Sequence, residues 1–182
     1  MRIVQLLPLR AANEQNTIQE RRALIDAGFD VHAIEAPKSG ARGVLWLETA
    51  GVRLATGLEP DIVMARDLDS LGAAVKVKKR TGAKIVYDAH EIYDWMIADS
   101  VPRFVARYTE KRERKLLQQV DRAISCNLGY RDELLQRGLP EAKSVVVVNC
   151  RDPIVPYKPL SGMRALCYMG TLHPSRFIAE MV

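Results

Sequence analysis

The stretch Lys84-Ile-Val-Tyr-Asp-Ala-His-Glu-Ile-Tyr93 ends a short apolar run in a carboxylate, an imidazole and a second carboxylate. Residues 84–87 read as a strand, because Ile85, Val86 and Tyr87 are side chains that fit a pleated, buried surface. Asp88, His90 and Glu91 follow with no spacer. His90 titrates near neutrality and can donate or accept a hydrogen bond at a hydroxyl. Asp88 or Glu91 can fix its tautomer or hold a ligand hydroxyl. The competing reading is a capping box, in which Asp88 and Glu91 satisfy the amides of a helix start.

The same alternation of apolar run and amphipathic segment recurs on both sides. Residues 3–7, 31–34, 62–65, 123–126 and 144–148 read as further strands. Residues 17–27 read as a helix with Ile18, Leu24 and Ile25 on its apolar face, stopped by Gly28. Residues 36–43 are a Gly/Pro/Ser loop, and 44–55 read as a helix. Residues 68–80 form a helix that Asp67 or Asp69 can cap, with Lys78, Lys79 and Arg80 favoured by the dipole in its last turn and Gly82 ending it. A long charged helix covers 101–120, and another covers 130–137 up to Gly138. Strands apolar on both faces, alternating with helices, predict an α/β fold: a Rossmann-like parallel sheet with helices on both faces.

Composition sets outer bounds. The chain has 182 residues, 48% hydrophobic and 27% charged, an ordinary globular balance. Its aromatic content is 6%, so the core is expected to be aliphatic. The formal charge of +5 suits an anionic partner without choosing among kinds; no nucleic-acid partner is expected. Residues 1–9 lack the length of a membrane span and the cleavage site of a signal peptide. Cys126, Cys150 and Cys167 are widely spaced, without the pattern of a zinc site or a disulfide framework. A reducing, cytoplasmic setting follows. Three prolines and Gly162 mark residues 151–163 as a linker between a domain at 1–150 and a second domain that starts at 164–182 and is not finished.

In open α/β sheets, ligands bind beyond the carboxyl ends of the strands. Four loops qualify. The loop after the first strand carries Arg10 and Asn13. It has no G-x-G-x-x-G, which argues against a dinucleotide cofactor, and no cofactor is expected. The loop after the third strand carries Asp67 and Asp69, which read as helix-start carboxylates rather than metal ligands. Asp88, His90 and Glu91 follow the fourth strand, and Asn127 follows the fifth. The long helix places Phe104, Val105, Tyr108, Leu117 and Val120 on an apolar face beside Arg103, Arg107, Lys111, Arg112, Arg114 and Lys115. Two readings stand: a core-packed helix with a solvated basic face, or a helix lying on anionic lipid.

Four stretches together resemble the N-terminal domain of glycosyltransferase family 4, a group 1-like, GT-B family. They are Asp61 to Ser70, Lys84 to Tyr93, Glu113-Arg-Lys-Leu-Leu followed by Val120-Asp-Arg-Ala-Ile-Ser125, and Val145-Val-Val-Val-Asn149 followed by Leu166-Cys-Tyr-Met-Gly-Thr-Leu172. The resemblance implies two Rossmann-like domains facing a cleft, the first binding the acceptor and the second a nucleotide-sugar donor. It implies hexosyltransferase-like transfer with retention of configuration and without a bound metal. His90 and Glu91 map to the catalytic positions. Substrate contacts are expected from Arg10, Asn13, Asp67, Asp69, Asp88 and Asn127, with Arg176 near the donor pyrophosphate. The acceptor is a sugar, a lipid or another hydroxyl compound, and peripheral membrane contact is compatible. Two departures stand out. Ala11-Ala12 replaces the glycine pair common in the first loop, and the family's later Glu-x7-Glu motif of the second domain is not reached by Val182. The expectation is therefore a half-enzyme, inactive by itself; the alternative is a non-catalytic module binding acceptor, membrane or a partner.

Overall fold

Six short apolar runs become six strands, and all of them pair parallel. A computed structural model describes residues 1–9, 15–98 and 100–148. The strands are β1 (Arg2–Leu7), β2 (Asp30–Glu35), β3 (Ile62–Arg66), β4 (Lys84–Ala89), β5 (Arg122–Ser125) and β6 (Ser144–Val146), in spatial order β2-β1-β3-β4-β5-β6. The chain runs outward in one direction from β1 to β2 and in the other from β3 onward. That reversal, between β1 and β3, opens the crevice where doubly wound sheets bind ligands.

The helices are α1 (Gln15–Asp26), α2 (Gly40–Trp46), α3 (Val52–Gly57), α4 (Asp67–Thr81), α5 (Tyr93–Ile97), α6 (Arg103–Leu117) and α7 (Leu128–Gln136). A π turn, Leu47–Gly51, joins α2 to α3. The loop expected at 36–43 is therefore shorter, since Gly40 already starts α2, and the helix expected at 44–55 runs from Gly40 to Gly57 through the π turn. It turns Leu47, Gly51, Val52 and Ala55 inward. The linker at 151–163 and the second domain at 164–182 lie outside the described residues.

The two faces of the sheet differ in chemistry. Register puts Val4 beside Val63 and Ile85, and Leu6 beside Ala65 and Tyr87. This face is apolar and packs on α4 and the α2–α3 segment through Leu47, Val52, Leu71, Ala74 and their neighbours. Gly72 of α4 carries no side chain where the Glu48–Arg112 ion pair crosses it; a Cβ there would lie 2.6 Å from Arg112 Nη2 and collide with the Glu48 carboxylate.

The opposite face was expected to be apolar too, and it is not. Its central positions are Gln5, Met64, Arg66 and Asp88, all buried. Helix α1 covers them with polar side chains: Gln5 Nε2 donates to Glu20, and Arg21 Nε donates to Gln5 Oε1 at 3.2 Å. Ile18 and Ile25, expected to face the core, are therefore exposed, at 53% and 52%. On α6 the expected apolar stripe splits in the same way. Leu117 and, just beyond the helix, Val120 are buried, whereas Phe104 and Tyr108 are exposed. Gly82 ends α4 in the left-handed conformation as expected, at φ 78°.

Below α5, a buried charge network joins three helices. Arg137 Nη1 donates to Asp94 Oδ1 and to Glu113 Oε2, each at 2.6 Å, and Arg137 Nε donates to Glu133 Oε1 at 2.9 Å. The Tyr87 hydroxyl, from the apolar face of β4, donates to the other oxygen of Glu113 at 2.6 Å. Glu113 and the Arg137 side chain are almost fully inaccessible. The network fixes α5, and with it the segment that leaves β4.

Candidate functional site

Arg66 and Asp88 are register partners, the last residue of β3 beside the fifth residue of β4. Side chains at paired positions of parallel strands share a face, so both project toward α1. Arg66 Nη1 donates to Asp88 Oδ2 at 2.9 Å, and both side chains are nearly inaccessible. His90, two residues beyond Asp88, folds back onto the pair. Its Nε2 lies 3.1 Å from Asp88 Oδ2, and its Nδ1 lies 3.4 Å from Arg66 Nη2. Glu20 of α1 approaches Arg66 Nη1 at 3.8 Å. The result is a four-residue charge cluster under the carboxyl ends of β3 and β4.

Asp67 does not cap α4. Helix α4 starts after Arg66 with no side-chain cap bond, and Asp67 itself has φ 55°, a left-handed conformation that Asp tolerates better than most residues. Its Oδ1 accepts from the backbone N–H of His90 at 2.8 Å and of Glu91 at 3.1 Å. The capping box read into Asp88 and Glu91 is also absent: α5 has Ile92 at its N-cap and no side-chain cap bond. The carboxylates instead brace one loop against the next. The Tyr93 hydroxyl faces the Asp69 carboxylate.

Asn127 caps α7, accepting from Tyr130 N–H at 2.8 Å, and its Nδ2 donates to Cys126 Sγ. It remains at the same edge of the sheet. The Cys126 thiol lies 3.6 Å from the His90 carbonyl oxygen, and the Tyr130 hydroxyl lies 3.5 Å from Glu91 Oε2. Trp95 meets the Tyr130 ring edge-on at 6.5 Å between centroids. The structure thus gathers Asp67, Asp69, Asp88, His90, Glu91 and Asn127 along one edge. Arg10, Asn13 and Arg176 lie outside the described residues. Nothing in the sequence pattern singles out Glu20; Arg66 opens the loop after the third strand and Tyr93 closes the stretch after the fourth, and strand register and helix placement bring all three to the site.

Electrostatics follow from the shielding of this edge. Burial pushes Glu20 up to about 7, and the neighbouring Asp88 charge adds to it while Arg66 opposes. Burial also pushes Asp67 up to about 6 against the pull of the two backbone N–H groups. Asp69 is raised by burial, and Tyr93 is pushed up to about 12 by burial and by the adjacent Asp69 charge. Burial disfavours the charged His90 imidazole, but its hydrogen bond to Asp88 and the Asp88 charge outweigh that, and its pKa rises. Arg66 works against the charged imidazole from the Nδ1 side. In neutral His90, the geometry suits a proton on Nε2 toward Asp88, with Nδ1 accepting from Arg66.

Over the β1/β3 reversal lies a cavity of about 430 Å³, lined by Asp67 and Glu91 but not by Arg66, Asp88 or His90. It draws Pro8 and Leu9 from the end of β1, Lys38 from the segment after β2, Asp67 and Asp69 from that after β3, and Glu91 and Tyr93 from that after β4. Carboxylates, an ammonium and a phenol beside apolar walls form a pocket suited to a hydroxyl-rich ligand. Among the described residues no helix is long and apolar enough to cross a membrane.

No curated protein matches the chain. Among solved structures, it is similar to the UDP-GlcNAc 2-epimerase from Methanocaldococcus jannaschii, with a TM-score of 0.55 and 13% identity over 81% of this chain and 45% of that one. It is equally similar to the lipopolysaccharide outer core galactosyltransferase WaaB in its apo form, with a TM-score of 0.55 and 13% identity over 82% of this chain and 46% of that one. The chain spans less than half the length of either, and at this identity the likeness shows the fold. The family itself is shown by a match to the "Glycosyl transferase 4-like domain" over residues 4–150, so the chain belongs to that family of glycosyltransferase domains.

Proposed function

We propose that this chain supplies the acceptor side of a retaining glycosyltransferase, with a nucleotide-sugar donor held by a second domain. The observation that carries the reading is the Arg66–Asp88–His90 cluster at the carboxyl ends of β3 and β4, whose brace Asp67 also lines the cavity over the β1/β3 reversal. Transfer builds positive charge on the sugar ring and negative charge on the departing phosphate. His90 acts by polar contact near the transferred sugar, and Glu91 and Asp69 hold acceptor hydroxyls. Asp88 positions the imidazole, and Arg66 holds the Asp88 carboxylate in place.

Stabilising both developing charges requires both sides of a cleft. The 182-residue chain by itself is expected to give no product from nucleotide sugars. Turnover by the purified chain would overturn that division of labour. In a preparation that does transfer, His90→Ala should lower kcat by about 10²-fold or more at unchanged stability.

Peripheral membrane contact, on the cytoplasmic side, belongs to the same reading. Phe104 and Tyr108 are 74% and 65% exposed on α6. Arg103, Arg107, Lys111 and Lys115 accompany them, and among the described residues none of the four has an ion-pair partner. Co-sedimentation with vesicles of phosphatidylcholine, with and without phosphatidylglycerol, tests this; binding indifferent to phosphatidylglycerol contradicts it.

A further inference from the structure

Glu20 joins the charge cluster from α1, whereas Arg66, Asp88 and His90 stand at the carboxyl ends of β3 and β4. Its Oε2 lies 3.8 Å from Arg66 Nη1, the nitrogen that donates to Asp88 Oδ2 at 2.9 Å. The sheet beneath fixes its place. Arg21 Nε donates to Gln5 Oε1 at 3.2 Å, which turns the other end of the buried Gln5 amide, Nε2, toward Glu20 Oε2 at 3.3 Å. Arg21 also approaches Glu35 of β2 at 3.7 Å.

Arg66 therefore has two places to direct its charge. Toward the ring, its Nη2 lies 3.4 Å from His90 Nδ1, and a donor can face that nitrogen only while the nitrogen is unprotonated. Toward α1, it faces the Glu20 carboxyl group. The Arg66 and Asp88 charges cancel, so the four-residue cluster is neutral when Glu20 and His90 are both uncharged or both charged. The two states differ in where Arg66 is needed. A proton on Nδ1 requires Arg66 Nη2 to withdraw, and an ionised Glu20 is the partner to which it withdraws.

The surrounding charges agree with this pairing. Around Glu20, Asp88 opposes ionisation, while Arg66, His90 and Arg21 favour it. Around His90, Asp88 and Asp67 favour the charged ring and Arg66 opposes it. Charge on His90 thus favours charge on Glu20, and by reciprocity charge on Glu20 favours charge on His90.

We infer that Glu20 is a positioning residue for the transfer reaction: from α1 it draws Arg66 off His90 Nδ1 and so lets the imidazole carry a second proton. With Glu20 uncharged, Arg66 stays on Nδ1 and the ring is neutral, its N–H turned toward Asp88. With Glu20 ionised, the ring adds a positive charge and a second N–H donor at the sheet edge. The inference rests on the reading of His90 as a contact to the transferred sugar.

The test follows the His90 ring protons by NMR between about pH 5 and about pH 9, in the 182-residue chain and in two variants. Glu20→Gln removes the charge and keeps an acceptor for Gln5. Glu35→Gln removes an equal charge from the end of β2, where it faces Arg21 and not Arg66. The His90 midpoint should fall by about 0.5 pH unit or more in Glu20→Gln and stay within about 0.2 unit of the parent in Glu35→Gln. Thermal unfolding confirms that each variant is folded. An unchanged midpoint in Glu20→Gln overturns the inference, as does an equal fall in both variants. If His90 ignores Glu20 while neutral sugars still shift Glu91 and Tyr93, the positioning role falls and the acceptor-side reading stands. If His90 follows Glu20 but no sugar shifts the sheet edge, the acceptor-side reading falls and takes the positioning role with it.

Discussion

Asp67, the first residue after β3, holds the backbone of His90, the first residue after β4: its Oδ1 accepts the His90 N–H at 2.8 Å. The same oxygen takes the Glu91 N–H at 3.1 Å. One carboxylate in a left-handed conformation thereby sets where the imidazole leaves the sheet. Asn retains an accepting oxygen of the same shape and Ala does not. Asp67→Ala should be less stable than Asp67→Asn by about 1–3 kcal/mol, and only the Ala variant should lose hydrogen-exchange protection at the His90 and Glu91 amides. Equal protection in both variants contradicts the brace.

The contact between Asp88 and His90 sets the imidazole's titration. Asp88→Asn removes the charge that favours the protonated ring and leaves burial and Arg66 acting against it. The His90 pKa, followed through its ring proton shifts, should move down in Asp88→Asn. No movement would mean that the 3.1 Å contact carries no coupling.

Glu20 makes stability depend on pH. Its folded pKa is raised from 4.5 to about 7, so the folded state binds its proton more tightly than the unfolded chain. Its contribution is fully present below about 4.5 and is lost as pH rises through about 7. Glu20→Gln removes the titration and keeps an acceptor for Gln5. Denaturant unfolding should show the variant gaining about 2 kcal/mol on the parent between those limits. Parallel pH curves for the two proteins would place Glu20 in water.

Arg137 compensates three carboxylates at once, and truncating it leaves Glu113 and Asp94 buried together. Arg137→Ala should cost about 3–5 kcal/mol in urea unfolding. Because Asp94 sits in α5, hydrogen exchange should also rise along Tyr93–Ile97. A loss below about 1 kcal/mol would mean that the network is solvated.

The strands were legible because each is a short apolar run between helical segments, and the carboxyl-end rule then selected the loops that hold Asp67, Asp88 and His90. What those carboxylates do was not legible. Asp67 and Asp69 read as caps from local spacing, but their partners are His90, Glu91 and Tyr93, more than twenty positions away and brought near only by the β3–β4 register. Arg66 read only as the first residue of the loop after the strand at 62–65, for the same reason. The periodicity of α1 and α6 showed which residues share a stripe, not whether anything lies opposite. Gln5, Arg66 and Asp88 make the sheet polar under α1, and so Ile18 and Ile25 turn to solvent.

The central claim is that the edge over β1, β3 and β4 receives an acceptor's hydroxyls. The most direct measurement is a backbone NMR titration of the labelled chain with a panel of neutral mono- and oligosaccharides. The account predicts saturable shifts centred on Asp67, Asp69, Glu91 and Tyr93 for at least one sugar, and their loss in Glu91→Ala. Shifts confined to other parts of the sheet, or none with any sugar in the panel, would contradict it.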